Sequence, residues 1–526
     1  MSRGILFVFA LTIRAWAMLN AQSPSIPDSA QQPSPEPAQT PQVSSLQVTT
    51  RLVVLDVVVT DRQGNPVTDL SRDDFNVTEE KASQRIKNFE PPFAHALPSG
   101  NLVHSTTDLP KIGDAPVNIL VLDELNTRFE DDAFSRFSIE KFLKSQAPTM
   151  PPTTLLAAND KSFMVLQDYT QDRPLLEAAL KRDPVQYPWR MNRNGGTGPD
   201  AVVRLAQSLE VLQSIAQAAA GTPGRKTIIW VGKGFPSVDL TSLDDISAQH
   251  LQDAVKRAID IMLTSRVTLY IVDPESLSGV EYDAETPAHL AVLEEESGDE
   301  PFSNAVRFRD MAPTTGGRVF SLRNDVDREI ANSLRDGSAY YTLSYTPTGN
   351  SSAPGEYRHI RITMNKPGLT ATTRDGYYSP SSQADPGDLS SGAKVKAKTG
   401  EQVVDVANAA LNRLVYNGVK VRAARNDASG RFSLAIAHSS LTWQPSEDGI
   451  FSAPIVLVAV CFSATGKVLS HTTEARSLHS KTPNANSDSE EVFSIPIDIP
   501  QRTVRVRFVI RDPTTGHLGS ADINVK

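Results

Sequence analysis

At 526 residues the chain is too long for one hydrophobic core, so roughly two to four domains are expected. A formal net charge of −9 argues against a surface built to grip nucleic acid or an anionic membrane. The single cysteine, Cys461, excludes an intrachain disulfide; within the apolar run "PIVLVAVCFS" it reads as a small buried hydrophobe.

The first 21 residues, "MSRGILFVFALTIRAWAMLNA", place Arg3 before an apolar stretch from Ile5 to Ile13 and end on small residues, the pattern of a secretory signal peptide. Export is therefore expected, to the periplasm or the outside. That stretch is too short to span a bilayer, and no later run offers eighteen or so consecutive apolar residues. Residues 22–45 are rich in Pro, Ser and Gln and cannot bury enough apolar surface to order themselves, so they read as a disordered linker.

Residues 46–95 follow with strand alternation, a turn at Arg62-Gln63-Gly64-Asn65, and two further short strands in "DDFNVTEE" and "QRIKNFEPP". About four short strands cannot close a β-sandwich alone. Over 113–336 the rhythm changes to alternating strands and helices. Val117–Leu122 is a buried-type run, and "DDAFSRFSIEKFLKS" sets Phe134, Phe137 and Leu143 on one helical side. "TTLLAA" and "SFMVLQ" read as a hairpin. "DAVVRLAQSLEVLQSIAQAAAG" reads as a long helix stopped by Gly221, and "LQDAVKRAIDIML" as a second. "KTIIWV" and "VTLYIVD" are buried strands, and "DVDREIANSLRD" is the last helix. Apolar strands alternating with helices predict a doubly wound, mostly parallel sheet, and the hairpin adds one antiparallel edge strand.

Residues 338–380 return to β alternation with about three strands. Joined to 46–95 they make roughly seven, the usual number for an Ig-like sandwich, so the α/β domain is expected to be inserted into that sandwich. Residues 381–400 form a second linker. Over 401–526 a short helix precedes several strands, predicting a second Ig-like β-sandwich in which Val504, Val506, Phe508 and Ile510 face inward and Arg505 and Arg507 outward.

The motifs "DVVVTDRQGNPVTDLSRDDFNV", "GRKTIIWVGKGFP", "VTLYIVDP", "APTTGGRVF", "YYTLSYTP" and "TRDGYYSP" resemble those of the VWFA-related Acidobacterial family of exported proteins, over about 46–380. The resemblance implies a von Willebrand factor A-like domain and no assigned chemical activity. It also implies a place to look for a metal-ion-dependent adhesion site, at the carboxyl ends of the parallel strands. That site's pattern is Asp-x-Ser-x-Ser, a Thr from a later loop and a final Asp, oxygen ligands suited to Mg²⁺. Asp123 matches the first Asp, Thr127 the second Ser and Thr197 the loop Thr. Leu125 stands at the first Ser, where it cannot coordinate, and Gly232-Lys233 stands where the last Asp belongs. Two readings stay open. Asp123 caps the following turn while Thr127 helps start a helix, which the sequence favours; or Asp123, Thr127 and Thr197 form a residual, weak Mg²⁺ site. Asp273, before Pro274, reads as a turn residue.

No Gly-x-Ser-x-Gly elbow, His-Glu-x-x-His pair or cysteine cluster is present, so no enzyme and no resident cofactor are expected. "GTPGRKT" precedes a strand and lacks phosphate-loop spacing. The acidic run at 293–301 reads as a solvated loop, and "NVT" at 76–78 as a chance glycosylation match. The expected function is an adhesion or binding module for a protein or glycan; the alternative is a scaffolding component of the cell envelope.

Overall fold

The computed structural model describes residues 52–100, 102–159, 163–183, 199–274, 300–321, 324–348, 355–379, 405–426, 431–445, 450–481 and 489–525. The expected signal peptide, both expected linkers and Thr197 lie outside the described residues. No helix among these residues is long and apolar enough to cross a membrane.

A six-stranded mixed sheet organises the middle of the chain. Its order is Val319–Phe320, Val267–Val272, Lys226–Val231, Val117–Asp123, Thr149–Ala158 and Phe163–Asp172. The first five strands run parallel, and only the last pair is antiparallel. Every residue of Val117–Asp123, Lys226–Val231 and Val267–Val272 is buried, because both faces are covered. One face packs Ile119, Val121, Ile228, Trp230 and Leu269 against helices Pro199–Ala219 and Asp245–Thr264. The other packs Leu120, Leu122, Ile229 and Val231 against Phe129–Ser145, Arg173–Arg182 and Val326–Ser338. Continuous apolar strands are the expected signature of such double coverage.

Two local expectations are corrected. On helix Phe129–Ser145 the buried positions include Ser135, Arg136, Ile139, Phe142 and Leu143, while Phe137 is 61% exposed. Arg136 takes the inward place because buried carboxylates wait for it. Gly221 does not end its helix by a left-handed turn: the helix closes at Ala219, and a Cβ on Gly221 would lie 1.9 Å from the Asn417 carbonyl oxygen. Close chain approach, not φ, requires glycine there.

Two four-stranded sheets each draw strands from both sides of the α/β segment. One runs Thr370–Thr372, Val53–Thr60, Tyr341–Tyr345, Ile86–Glu90, and the other Gly376–Tyr378, Tyr357–Met364, Phe75–Glu79, Ala82–Gln84. They contribute to one core holding Val53, Leu55, Val57, Val59, Phe75, Val77, Tyr341, Leu343, Tyr345, Ile360 and Tyr377. Glu79 is buried in it, accepting from the Tyr345 hydroxyl at 2.5 Å and the Tyr377 hydroxyl at 3.2 Å, and pairing with Arg358.

Toward the C-terminus, Val421–Arg425, Arg431–Ala437 and Glu490–Pro496 form a three-stranded sheet. A second sheet is built on Phe451–Phe462, Arg505–Arg511 and Leu518–Asn524, with Val468–Ser480 along Phe451–Phe462. Cys461, Val506, Phe508 and Ile510 lie in the core they share. Arg507 does not face solvent: it is fully buried, because helix 405–411 and Tyr416 cover the outer side of its sheet together with Ala218.

Candidate functional site

The strand Val117–Asp123 delivers Asp123 to the carboxyl-terminal rim of the parallel sheet, where ligands of open α/β sheets bind. Asp123 is fully buried there. Its Oδ1 accepts from the Leu125 N–H at 3.1 Å, the Asn126 N–H at 3.0 Å and the Asn126 amide at 3.3 Å. Its Oδ2 accepts from the Trp230 indole at 3.0 Å and the Gly234 N–H at 2.9 Å. Burial pushes the carboxyl pKa up, while the Asn126, Trp230 and Gly234 bonds oppose that rise. The donors come from two chain regions: the turn after the strand, and the loop after Lys226–Val231. The Asn126 amide also donates to Ser208 Oγ at 3.1 Å, fastening the turn to the long helix.

Thr127 is 2% exposed, and its Oγ1 accepts from the Lys233 N–H at 3.4 Å. It does not cap the next helix, whose N-cap is Arg128. Gly232 has φ of +152°, and a Cβ there would lie 2.2 Å from Asp123 Cβ and 2.6 Å from Thr127 Oγ1. The loop after this strand therefore passes so close to Asp123 that no side chain fits at Gly232. Asp273 donates its N–H to the Phe320 carbonyl at 2.8 Å. The structure thus brings Asp123 and Thr127 together against Gly232.

A divalent cation and an N–H hydrogen cannot share one lone pair. Mg²⁺ at Asp123 would have to displace bonds from Trp230, Gly234 or the turn and open a fully buried site. The donor set at Asp123 fits an anion, which is the Asp123 carboxylate itself, and does not fit a metal. Among the described residues, no group of three or more His, Cys, Asp or Glu is placed to hold a metal ion.

Beside the rim lies a cluster that sequence reasoning missed. Arg136 bonds Glu124, reaches Asp132 Oδ2 at 3.2 Å and Asp183 Oδ2 at 2.8 Å, and donates to the Asp183 carbonyl at 3.0 Å. Asp132 and Arg136 stand four apart on one helix, a spacing that signals an ion pair; nothing local points to Glu124 or Asp183. Three carboxylates share one guanidinium, and burial, then Asp183, push Glu124 up to about 8 against the pull of Arg136. A carboxyl raised in the fold binds a proton the unfolded chain does not hold. Its contribution to stability is complete below the unfolded value of 4.5 and is lost as pH rises through about 8. Glu124→Gln is expected to flatten that fall, measured as the difference in urea midpoint between about pH 6 and about pH 9; an unchanged difference contradicts the assignment.

A scan of family models returns no match, and neither does a comparison with curated proteins. Among solved structures the chain is similar, weakly, to proximal thread matrix protein 1 from the mussel byssus, at 10% identity and a TM-score of 0.20, covering 31% of this chain and 38% of that one. The VWA domain of SpRpn10 gives 17% identity and a TM-score of 0.15, covering 30% of this chain and 88% of the domain. A β-glucuronidase of Bacteroides uniformis gives 11% identity and a TM-score of 0.11, covering 35% of this chain and 18% of the enzyme. The chain therefore matches well under half the length of the first of these proteins.

Proposed function

We propose that this chain is an exported, non-enzymatic binding protein in which a von Willebrand factor A-like α/β domain is carried by an Ig-like sandwich, with a second β-sandwich at the C-terminal end. Its partner is a protein or glycan. The observation that carries the reading is the Asp123 cage: the rim position that would ligate Mg²⁺ in an adhesion site is filled by N–H donors, and Gly232 closes over it. Recognition is then metal-independent and uses surface other than Asp123 and Thr127. The mature chain should retain a partner from envelope extract equally with and without chelator. Calorimetric titration of Mg²⁺ or Mn²⁺ should release no binding heat. Micromolar affinity abolished by Asp123→Ala, or retention lost with chelator, would overturn the metal-free rim.

A second reading, a scaffold component of the cell envelope with an inert rim, is favoured by the same burial, since Asp123 and Thr127 have no surface to offer a partner. Extract that leaves nothing retained under either condition would favour it.

A further inference from the structure

The sheet containing Tyr341–Tyr345 meets the amino-terminal end of the six-stranded sheet through buried polar groups. Arg266, in the turn after helix Asp245–Thr264, donates to Asp56 Oδ1 at 2.6 Å and to Thr342 Oγ1 at 3.0 Å. Thr342 Oγ1 lies 3.2 Å from Asp56 Oδ1 and 3.1 Å from His95 Nε2. His95 stacks on Tyr340 with centroids 4.5 Å apart and planes 8° apart, and the Arg225 guanidinium lies 5.3 Å from the centre of the same ring. Lys226, 1% exposed, donates to the Thr222 carbonyl at 2.5 Å.

The network assigns the His95 tautomer. A carboxylate only accepts, so the Thr342 hydroxyl gives its one hydrogen to Asp56. Toward His95 the hydroxyl must then accept, so Nε2 carries the ring hydrogen and Nδ1 the lone pair. Nδ1 is buried with no hydrogen-bond partner. A proton arriving at Nδ1 finds no acceptor, and the ring becomes a cation near Arg266.

We propose that this seam is an acid-sensitive joint: proton uptake at His95 Nδ1 and Lys226 Nζ adds two positive charges to those of Arg225 and Arg266, against Asp56, Glu90 and Asp114, and loosens the contact between the two sheets. The charged groups facing His95 are Glu90, with Oε2 3.8 Å from Nε2, Asp56, Asp114 and Arg266. Burial first and Arg266 second hold His95 below its ordinary value, against the three acids. The same pair of causes takes Lys226 down to about 7. Both bases bind protons better in the opened seam than in the closed one. Acid therefore favours opening by up to about tenfold per pH unit for each proton, for Lys226 as pH falls from 10.5 to about 7 and for His95 as pH falls below its ordinary 6.5. A cavity of about 350 Å³ borders His95, lined by Pro116, Met150 and Gln171 among others.

The test is amide hydrogen exchange of the full chain at about pH 7.5 and about pH 5, corrected for intrinsic rates, with Phe451–Phe462 as internal reference. Opening of Tyr341–Tyr345 should rise by up to tenfold per pH unit below about pH 6.5, where His95 takes up its proton, and the double variant His95→Gln, Lys226→Met should lose that rise. Seam amides that follow the intrinsic rate alone in the wild type, or an undiminished slope in the double variant, would overturn the joint. Should the variant not fold, a ring-carbon NMR titration of His95 in the wild-type chain decides. Titration at the ordinary value with no shift in seam amides refutes the proposal; a depressed titration that tracks seam opening supports it.

Discussion

Asp123→Ala is expected to destabilise the fold around the six-stranded sheet by on the order of 3 kcal/mol or more, and by the same amount with and without Mg²⁺. The mutation leaves the Trp230 indole, the Gly234 N–H and the Asn126 backbone N–H without the carboxylate they share. Each buried donor stranded this way costs about 1–3 kcal/mol. Asp123→Asn should do little better, because one of its two heads is a donor pressed against donors. The measurement is a urea midpoint followed by tryptophan fluorescence, to which Trp230 contributes, in Mg²⁺ and in chelator. A metal ligand would behave differently: Mg²⁺ at a hundred times its Kd would add about 2.7 kcal/mol to the wild type and nothing to the variant. Such a gain in the wild type would show that the cage opens to admit a cation.

This expectation marks where the sequence was legible. "VNILVLD" reads as a buried strand from its apolar run alone, and the strand ends at Asp123 where that reading stops. What Asp123 does was not legible. Its Trp230 and Gly234 partners lie 107 and 111 positions away, and no local pattern announces an indole aimed at a carboxylate. The absence of a side chain at Gly232 was visible, but not that Asp123 and Thr127 fill the space it leaves. Helix Arg173–Arg182 escaped notice because it starts directly where the strand Phe163–Asp172 ends, with no intervening loop. The pairing of Val53–Thr60 with both Tyr341–Tyr345 and Thr370–Thr372 joins regions more than 280 residues apart in sequence. Only the shortage of strands in 46–95 hinted at it. Arg507 misled for the same reason: alternation shows which residues share a face, not whether another element later covers it.

That covered arginine yields the second large effect. Arg507→Met should detach helix 405–411 from its sheet and destabilise the C-terminal sheets by about 3–5 kcal/mol, the range for breaking a buried, hydrogen-bonded charge. The guanidinium reaches in several directions at once. Nε donates to the Ala409 carbonyl at 2.9 Å, Nη1 to Asp522 Oδ2 at 2.6 Å, and Nη2 to the Leu414 carbonyl and to Ser520 Oγ at 3.2 Å. Ala409 and Leu414 bracket the end of the helix, so one side chain pins it and the following turn. Met fills much of the volume but leaves the buried Ala409 carbonyl, the half-buried Leu414 carbonyl and the Ser520 hydroxyl without this donor, while Asp522 keeps Arg505 at 2.8 Å. Tyr416 and Ala218 pack in the same cluster as Ala409, so the loss should spread to the contact with helix Pro199–Ala219. Arg507→Lys separates charge from geometry. A single ammonium keeps the charge but cannot reproduce a planar fork that serves three sides, so it should recover less than half of the loss. Amide exchange over 405–416 and over Pro199–Ala219 reads both effects. Full protection of 405–416 in Arg507→Met would show that apolar packing around Ala409 and Tyr416 holds the helix without the arginine.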